Sequence, residues 1–142
     1  MTSFNPDDDI VTMVKHHEDY RKFAYRCTSG ALTIGYGHNL DAKGLTEKQA
    51  TSILLDDLTE ALKQTLDRIP WAKDLDEDRL AVLVMMTFNM GVDGLLKFRR
   101  MLAALEKKDY QTAASEMLSS KWAKQVGNRA HDLAETMITG KL

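Results

Sequence analysis

One long helical pattern in the middle of the chain constrains the fold more than any other feature. Thr46-Glu47-Lys48-Gln49 has the spacing of a capping box, in which the first hydroxyl and the fourth side chain each bond the other's backbone amide. Ala50, Leu54, Leu58, Ala61, Leu62, Leu66 and Ile69 then recur at helical spacing, and Pro70 stops the run. The pattern predicts about 23 residues of helix over 47–69, roughly 35 Å of rod. A rod that long matches the width of a small domain, so it predicts two lobes joined by a helix.

The chain on either side has different periods. Before the rod, Asn5 suits an N-cap, Pro6 the first helical position, and Asp7, Asp8 and Asp9 the positive end of a helix dipole. Ile10, Met13, Val14 and His17 predict one buried face of that first helix. Glu18 falls near its end, where the dipole disfavours a carboxylate, so its placement asks for another reason. Phe23, Tyr25 and Cys27 alternate with Lys22, Ala24 and Arg26 as in a strand. Thr28-Ser29-Gly30 reads as a turn and residues 31–37 as the return strand, where Gly35 and Gly37 leave room for close approach by backbone or ligand.

After the rod everything reads as helix. Residues 76–90 start with acids and continue apolar nearly all round, as in the buried centre of a bundle. Further helices are predicted over 95–107, 110–118 and 128–139, with a short turn around 121–125. The expected fold is α+β: one domain, 1–142, with a hairpin lobe about 13–46, the linking helix about 47–69, and a helical lobe about 70–142 that also takes the first helix. A cleft between such lobes is a common ligand site.

Composition narrows the function. With 44% apolar residues in 142, the chain can bury a real core. A single cysteine excludes an internal disulfide and any multi-cysteine zinc site. Net charge is −2, which excludes a bulk basic nucleic-acid binder. Residues 1–91 carry ten Lys and Arg against fifteen Asp and Glu, whereas 92–142 carry nine against six. The acidic start has no apolar core of a secretory signal, and the longest apolar run, 80–86, is far short of a membrane span. The chain is therefore expected to be held in the cytoplasm where it is made, without membrane insertion. No coiled-coil seam is apparent, and a monomer is expected.

Glu18, eight residues, Cys27, five residues, Thr33 is the sharpest constellation of chemistry-bearing groups. It runs into Thr33-Ile34-Gly35-Tyr36-Gly37-His38. Further on stand Phe88-Asn89-Met90-Gly91, Ser120-Lys121-Trp122 and Asn128-Arg129-Ala130. In this order, over residues 13 to 140, the islands resemble the phage-type lysozymes, the muramidase endolysins of glycoside hydrolase family 24. One departure is a shorter segment between hairpin and rod, which would leave a smaller lip on the cleft.

The resemblance implies hydrolysis, with inversion, of the β-1,4 bond between N-acetylmuramic acid and N-acetylglucosamine in bacterial peptidoglycan. Glu18 would be the general acid. That role asks for a pKa raised by burial among apolar groups, since a glutamate is otherwise mostly ionised at neutral pH. Arg129 would hold Glu18 in place. Cys27 stands where the family has Asp or Cys, and with Thr33 would orient or activate the water. An ordinary thiol is only a few per cent ionised at neutral pH, which makes it a poor base unless its pKa is lowered. His38 and Asp57 would form a structural ion pair. Tyr25, Asn89, Lys121, Gln125 and Asn128 are candidate glycan contacts, whereas Trp71, Trp122 and the methionines at 85, 86 and 90 read as core. No metal or organic cofactor is implied, no histidine cluster has ligand spacing, and release through a holin-type pore to periplasm or cell wall is expected.

Two other classes fit the bare residue types. One is a peptidoglycan peptidase or amidase with Cys27 as nucleophile and His38 or His17 as base. The other is a glycan-binding module whose lysozyme-like cleft has lost its base.

Overall fold

The structure is a computed structural model and describes residues 2–142. By its internal contacts the chain divides into two compact units, one running to Ser52 and one from Ile53 to Leu142. The fold is α+β, as the change of period predicts.

The first unit opens with α1, Asp9–His17. Asn5 and Asp8 close a small turn of their own, with Asp8 N donating to Asn5 O at 3.1 Å and Asn5 N to Asp8 Oδ2 at 2.8 Å. The helix therefore begins three residues later than Asn5 and Pro6 suggest. No residue of α1 is buried: Ile10, Met13 and Val14 are about half exposed, at 52%, 57% and 45%, which corrects the expected buried face. By its contacts α1 belongs to the first unit.

Strands β1 (Arg21–Arg26), β2 (Leu32–Gly35) and β3 (His38–Asn39) form an antiparallel sheet in chain order. Tyr25 pairs with Thr33, and Thr33 with Asn39. The return strand is shorter than predicted. Gly35 and Gly37 take φ of 69° and 76°, values that favour glycine, and turn the chain into β3. A short helix α2, Leu40–Lys43, then fills what reads as loop. Asn39 caps it by accepting from Ala42 N at 2.9 Å.

Helix α3, Glu47–Arg68, fulfils the capping-box reading: Thr46 N donates to Gln49 Oε1 at 2.9 Å, and Gln49 N to Thr46 Oγ1 at 3.1 Å. Only Ala61 and Thr65 within it are buried, and Leu54 and Leu62 on the predicted face are exposed. Thr65 Oγ1 meets Thr87 Oγ1 at 2.7 Å, a buried hydroxyl pair that periodicity cannot reveal.

The second unit continues through a 3₁₀ turn at Pro70–Asp74 into α4 (Glu77–Met90), α5 (Val92–Leu96), α6 (Arg99–Glu106), α7 (Tyr110–Leu118), α8 (Lys121–Val126) and α9 (Asn128–Thr139). The predicted helix over 95–107 is two helices, because Phe98 leaves helical geometry at ψ 56°. The core joins Val82, Leu83 and Met86 of α4 to Met101, Leu105, Met117 and Met137. Ala113 and Ala114 of α7 and Ala130 and Ala134 of α9 are small buried residues that permit close approach where these two helices pack. Trp71 packs against this core and Trp122 is buried in it, but Phe88 at the end of α4 is half exposed. Arg79 ties the end of α9 down: Nε donates to Met137 O at 2.7 Å and an Nη to Ile138 O at 2.8 Å. Its guanidinium also lies 3.4 Å from the centre of the Tyr110 ring.

Candidate active site

Glu18 stands at the end of α1. Glu18 is its C-cap, and Glu18 N donates to Val14 O at 2.7 Å, fixing where the side chain leaves the helix. The carboxylate lies against Gly37: a β-carbon there would stand 3.2 Å from Glu18 Oε2. The room left by the glycine strand end is thus occupied by the acid itself. Glu18 is exposed, so the burial that an acid role asks for is not present around this carboxyl.

Cys27 directly follows β1 and is half-buried. Its N donates to Ala31 O at 3.0 Å, its carbonyl accepts from Gly30 N at 2.8 Å, and its Sγ stands 3.0 Å from Ser29 Oγ. The thiol pKa is lowered from the ordinary 9.0 to about 7. The Ser29 hydroxyl is the largest cause, followed by the Ser29 backbone and the Thr33 hydroxyl, against a small opposing desolvation. About half of such a thiol is ionised at neutral pH, which removes the obstacle that an ordinary cysteine would present.

Thr33 is the buried member, 4% exposed at the centre of the sheet. Its hydroxyl donates to Ala31 O at 3.0 Å. By strand alternation Tyr25 and Cys27 share a face, and Thr33 pairs with Tyr25, so thiol and hydroxyl lie on one face of the hairpin. Arg26, on the other face, donates to Gly30 O at 3.1 Å and pairs with Asp41 Oδ2 at 3.4 Å. Asp41 Oδ2 also accepts from Leu32 N at 2.7 Å, so this pair staples the turn between β1 and β2.

His38 Nε2 bonds Gly44 O at 2.7 Å, and Asp57 lies on α3 in the second unit. His17 is exposed beside His16 in the last turn of α1. Among the described residues Cys27 bonds a hydroxyl, and His38 bonds a backbone carbonyl. No group of three or more His, Cys, Asp or Glu among the described residues could hold a metal ion. No helix among them is long and apolar enough to cross a membrane.

The other predicted residues belong to the second unit. Asn89 accepts from Trp122 Nε1 at 2.9 Å, which joins the end of α4 to α8. Lys121 and Gln125 line a cavity of about 770 Å³ with Trp122, Phe98, Lys97 and Arg99. Asn128 and Arg129 start α9 and are exposed, with Gly127 rather than Asn128 as the cap. Ser29, which the sequence offers only as a turn former, is the site residue that sequence reasoning misses.

The α+β, lysozyme-like fold, with a carboxylic acid at the end of α1 and an acidified thiol and a buried hydroxyl on the adjoining hairpin, fits a hydrolase of the lysozyme class. Comparison with known proteins gives the family: the phage lysozyme family model matches residues 15–136, and the chain belongs to that family. It is similar to probable T4-type lysozyme 1 of Dictyostelium discoideum, 29% identical over 94% of this chain and 95% of that protein. It is also similar to an endolysin of Acyrthosiphon pisum secondary endosymbiont phage 1, 30% identical over 80% of this chain and 77% of the other. A third relative is the pre-baseplate central spike protein of Enterobacteria phage T4, 26% identical over 99% of this chain but only 29% of that longer protein. The protein is a glycoside hydrolase, a lysozyme that hydrolyses peptidoglycan.

Proposed function

We propose that this lysozyme cuts the β-1,4 bond between N-acetylmuramic acid and N-acetylglucosamine with inversion, and that it serves host cell lysis. Glu18 gives its proton to the leaving glycosidic oxygen. Cys27, as thiolate, takes a proton from the attacking water, and Thr33 orients that water. The lowered pKa of Cys27 beside the buried Thr33 hydroxyl is the observation that carries this assignment, because it gives the thiol the protonation state a base needs. When the Thr33 hydroxyl donates to Ala31 O, its oxygen is left to accept from water. Tyr25, Asn89, Lys121, Gln125 and Asn128 are proposed glycan contacts, and Arg129, His38 and Asp57 supporting residues. The enzyme acts as a monomer, accumulates in the host cytoplasm, and reaches periplasm or cell wall through a holin-type pore.

The test is hydrolysis of purified peptidoglycan followed by NMR of the new reducing ends. Inversion releases the α-anomer first, whereas first appearance of the β-anomer contradicts it. Cys27→Ala should slow hydrolysis on the order of a hundredfold to a thousandfold, and Cys27→Asp should keep most of the rate. The wild-type rate should fall as pH drops below about 7, since protonation removes the thiolate. In Cys27→Asp that fall should move to lower pH.

A further inference from the structure

We propose that Ser29 is a positioning residue for hydrolysis, its hydroxyl donating to Cys27 Sγ so that the sulfur is held ionised and in place at 3.0 Å. This rests on the reading of Cys27 as the base.

The turn that carries Ser29 is fixed independently of the sulfur. Gly30 N donates to Cys27 O and Cys27 N to Ala31 O, closing the loop from both sides. Gly30 takes φ of 86°, a value that favours glycine. Arg26 grips Gly30 O, and Asp41 holds both Arg26 and Leu32 N. The serine hydroxyl is thus presented to the sulfur by a braced backbone, and little ordering remains to be done when the thiol ionises. A thiolate has no hydrogen to donate, so the proton of the Sγ–Oγ bond then lies on Ser29.

Reactive thiolates are usually stabilised by a neighbouring cation or a helix N-terminus. No charged group is among the causes that shift this thiol. Arg26 is engaged with Gly30 O and Asp41. Arg21 stacks over the Tyr25 ring at 4.8 Å. His38 on β3 bonds Gly44 O, Lys43 on α2 is exposed, and Glu18 lies against Gly37. The thiol is shifted by hydrogen bonds alone, with Ser29 first among them. Thr33 contributes less than Ser29, and its hydroxyl also donates to Ala31 O at 3.0 Å.

Because Cys27 is the sole cysteine, the pH dependence of iodoacetamide alkylation reads its ionisation directly. The wild-type midpoint should lie near 7. In Ser29→Ala it should rise by about one pH unit, and in Ser29→Thr it should stay near the wild-type value. The acidic limb of peptidoglycan hydrolysis should move with it, slowing Ser29→Ala about eightfold at pH 6.5 while Ser29→Thr keeps its rate. Ser29 is exposed, so all three proteins should fold alike, checked by circular dichroism. An unmoved alkylation midpoint in Ser29→Ala overturns the role of Ser29 and leaves the Cys27 reading standing. A moved midpoint with an unmoved limb overturns Cys27 as base, and Ser29's part in hydrolysis with it.

Discussion

The two compact units are built on different physics. In the second, buried apolar side chains from six helices share one core, and its few buried hydroxyls are all hydrogen-bonded. In the first, Thr33 is the one buried residue among those described, and order comes from a three-stranded ladder, an Arg26–Asp41 staple and glycine turns. The proposed acid, base and water-orienting residue all lie in the unit with almost no core. Burial holds a fold together, but a site that must meet solvent and a polymer needs exposed groups held by hydrogen bonds.

That contrast predicts where substitutions act. Leu83→Ala, at a fully buried position of α4, should destabilise the protein by about 3 kcal/mol in denaturant titration and leave the activity of the folded enzyme unchanged. Arg79→Leu removes two charged bonds to the end of α9 and should lower stability by about 2 kcal/mol, again without an effect on folded-state activity. Gly37→Ala should do the reverse. A β-carbon there crowds the Glu18 carboxylate and strains a φ of 76°, so hydrolysis should fall about tenfold while the second unit's unfolding transition hardly moves. Equal losses of stability and activity in Gly37→Ala would break the distinction between the units.

Local signals carried most of the fold. The capping box at Thr46, Pro70 as a stop, and helices α7 and α9 follow from residues near in sequence. Elements set by contacts at a distance were not legible. Asn5 could be read as a cap, but its bond to Asp8 makes a turn instead. The apolar spacing of α1 is real, yet it buries nothing. The break at Phe98 has no glycine or proline to announce it. In the site, the spacing of Glu18, Cys27 and Thr33 was visible, and the hairpin brings Cys27 and Thr33 to neighbouring strands. The Ser29–Cys27 bond depends on two side-chain rotamers and leaves no mark in the residue order.

The central claim is that Glu18 is the acid that breaks the glycosidic bond. Its most direct test compares wild type with Glu18→Gln, counting new reducing ends released from purified peptidoglycan. Glutamine keeps the size and loses the transferable proton, so the rate should fall on the order of a thousandfold with folding unchanged. Equal release by the two proteins would contradict the account.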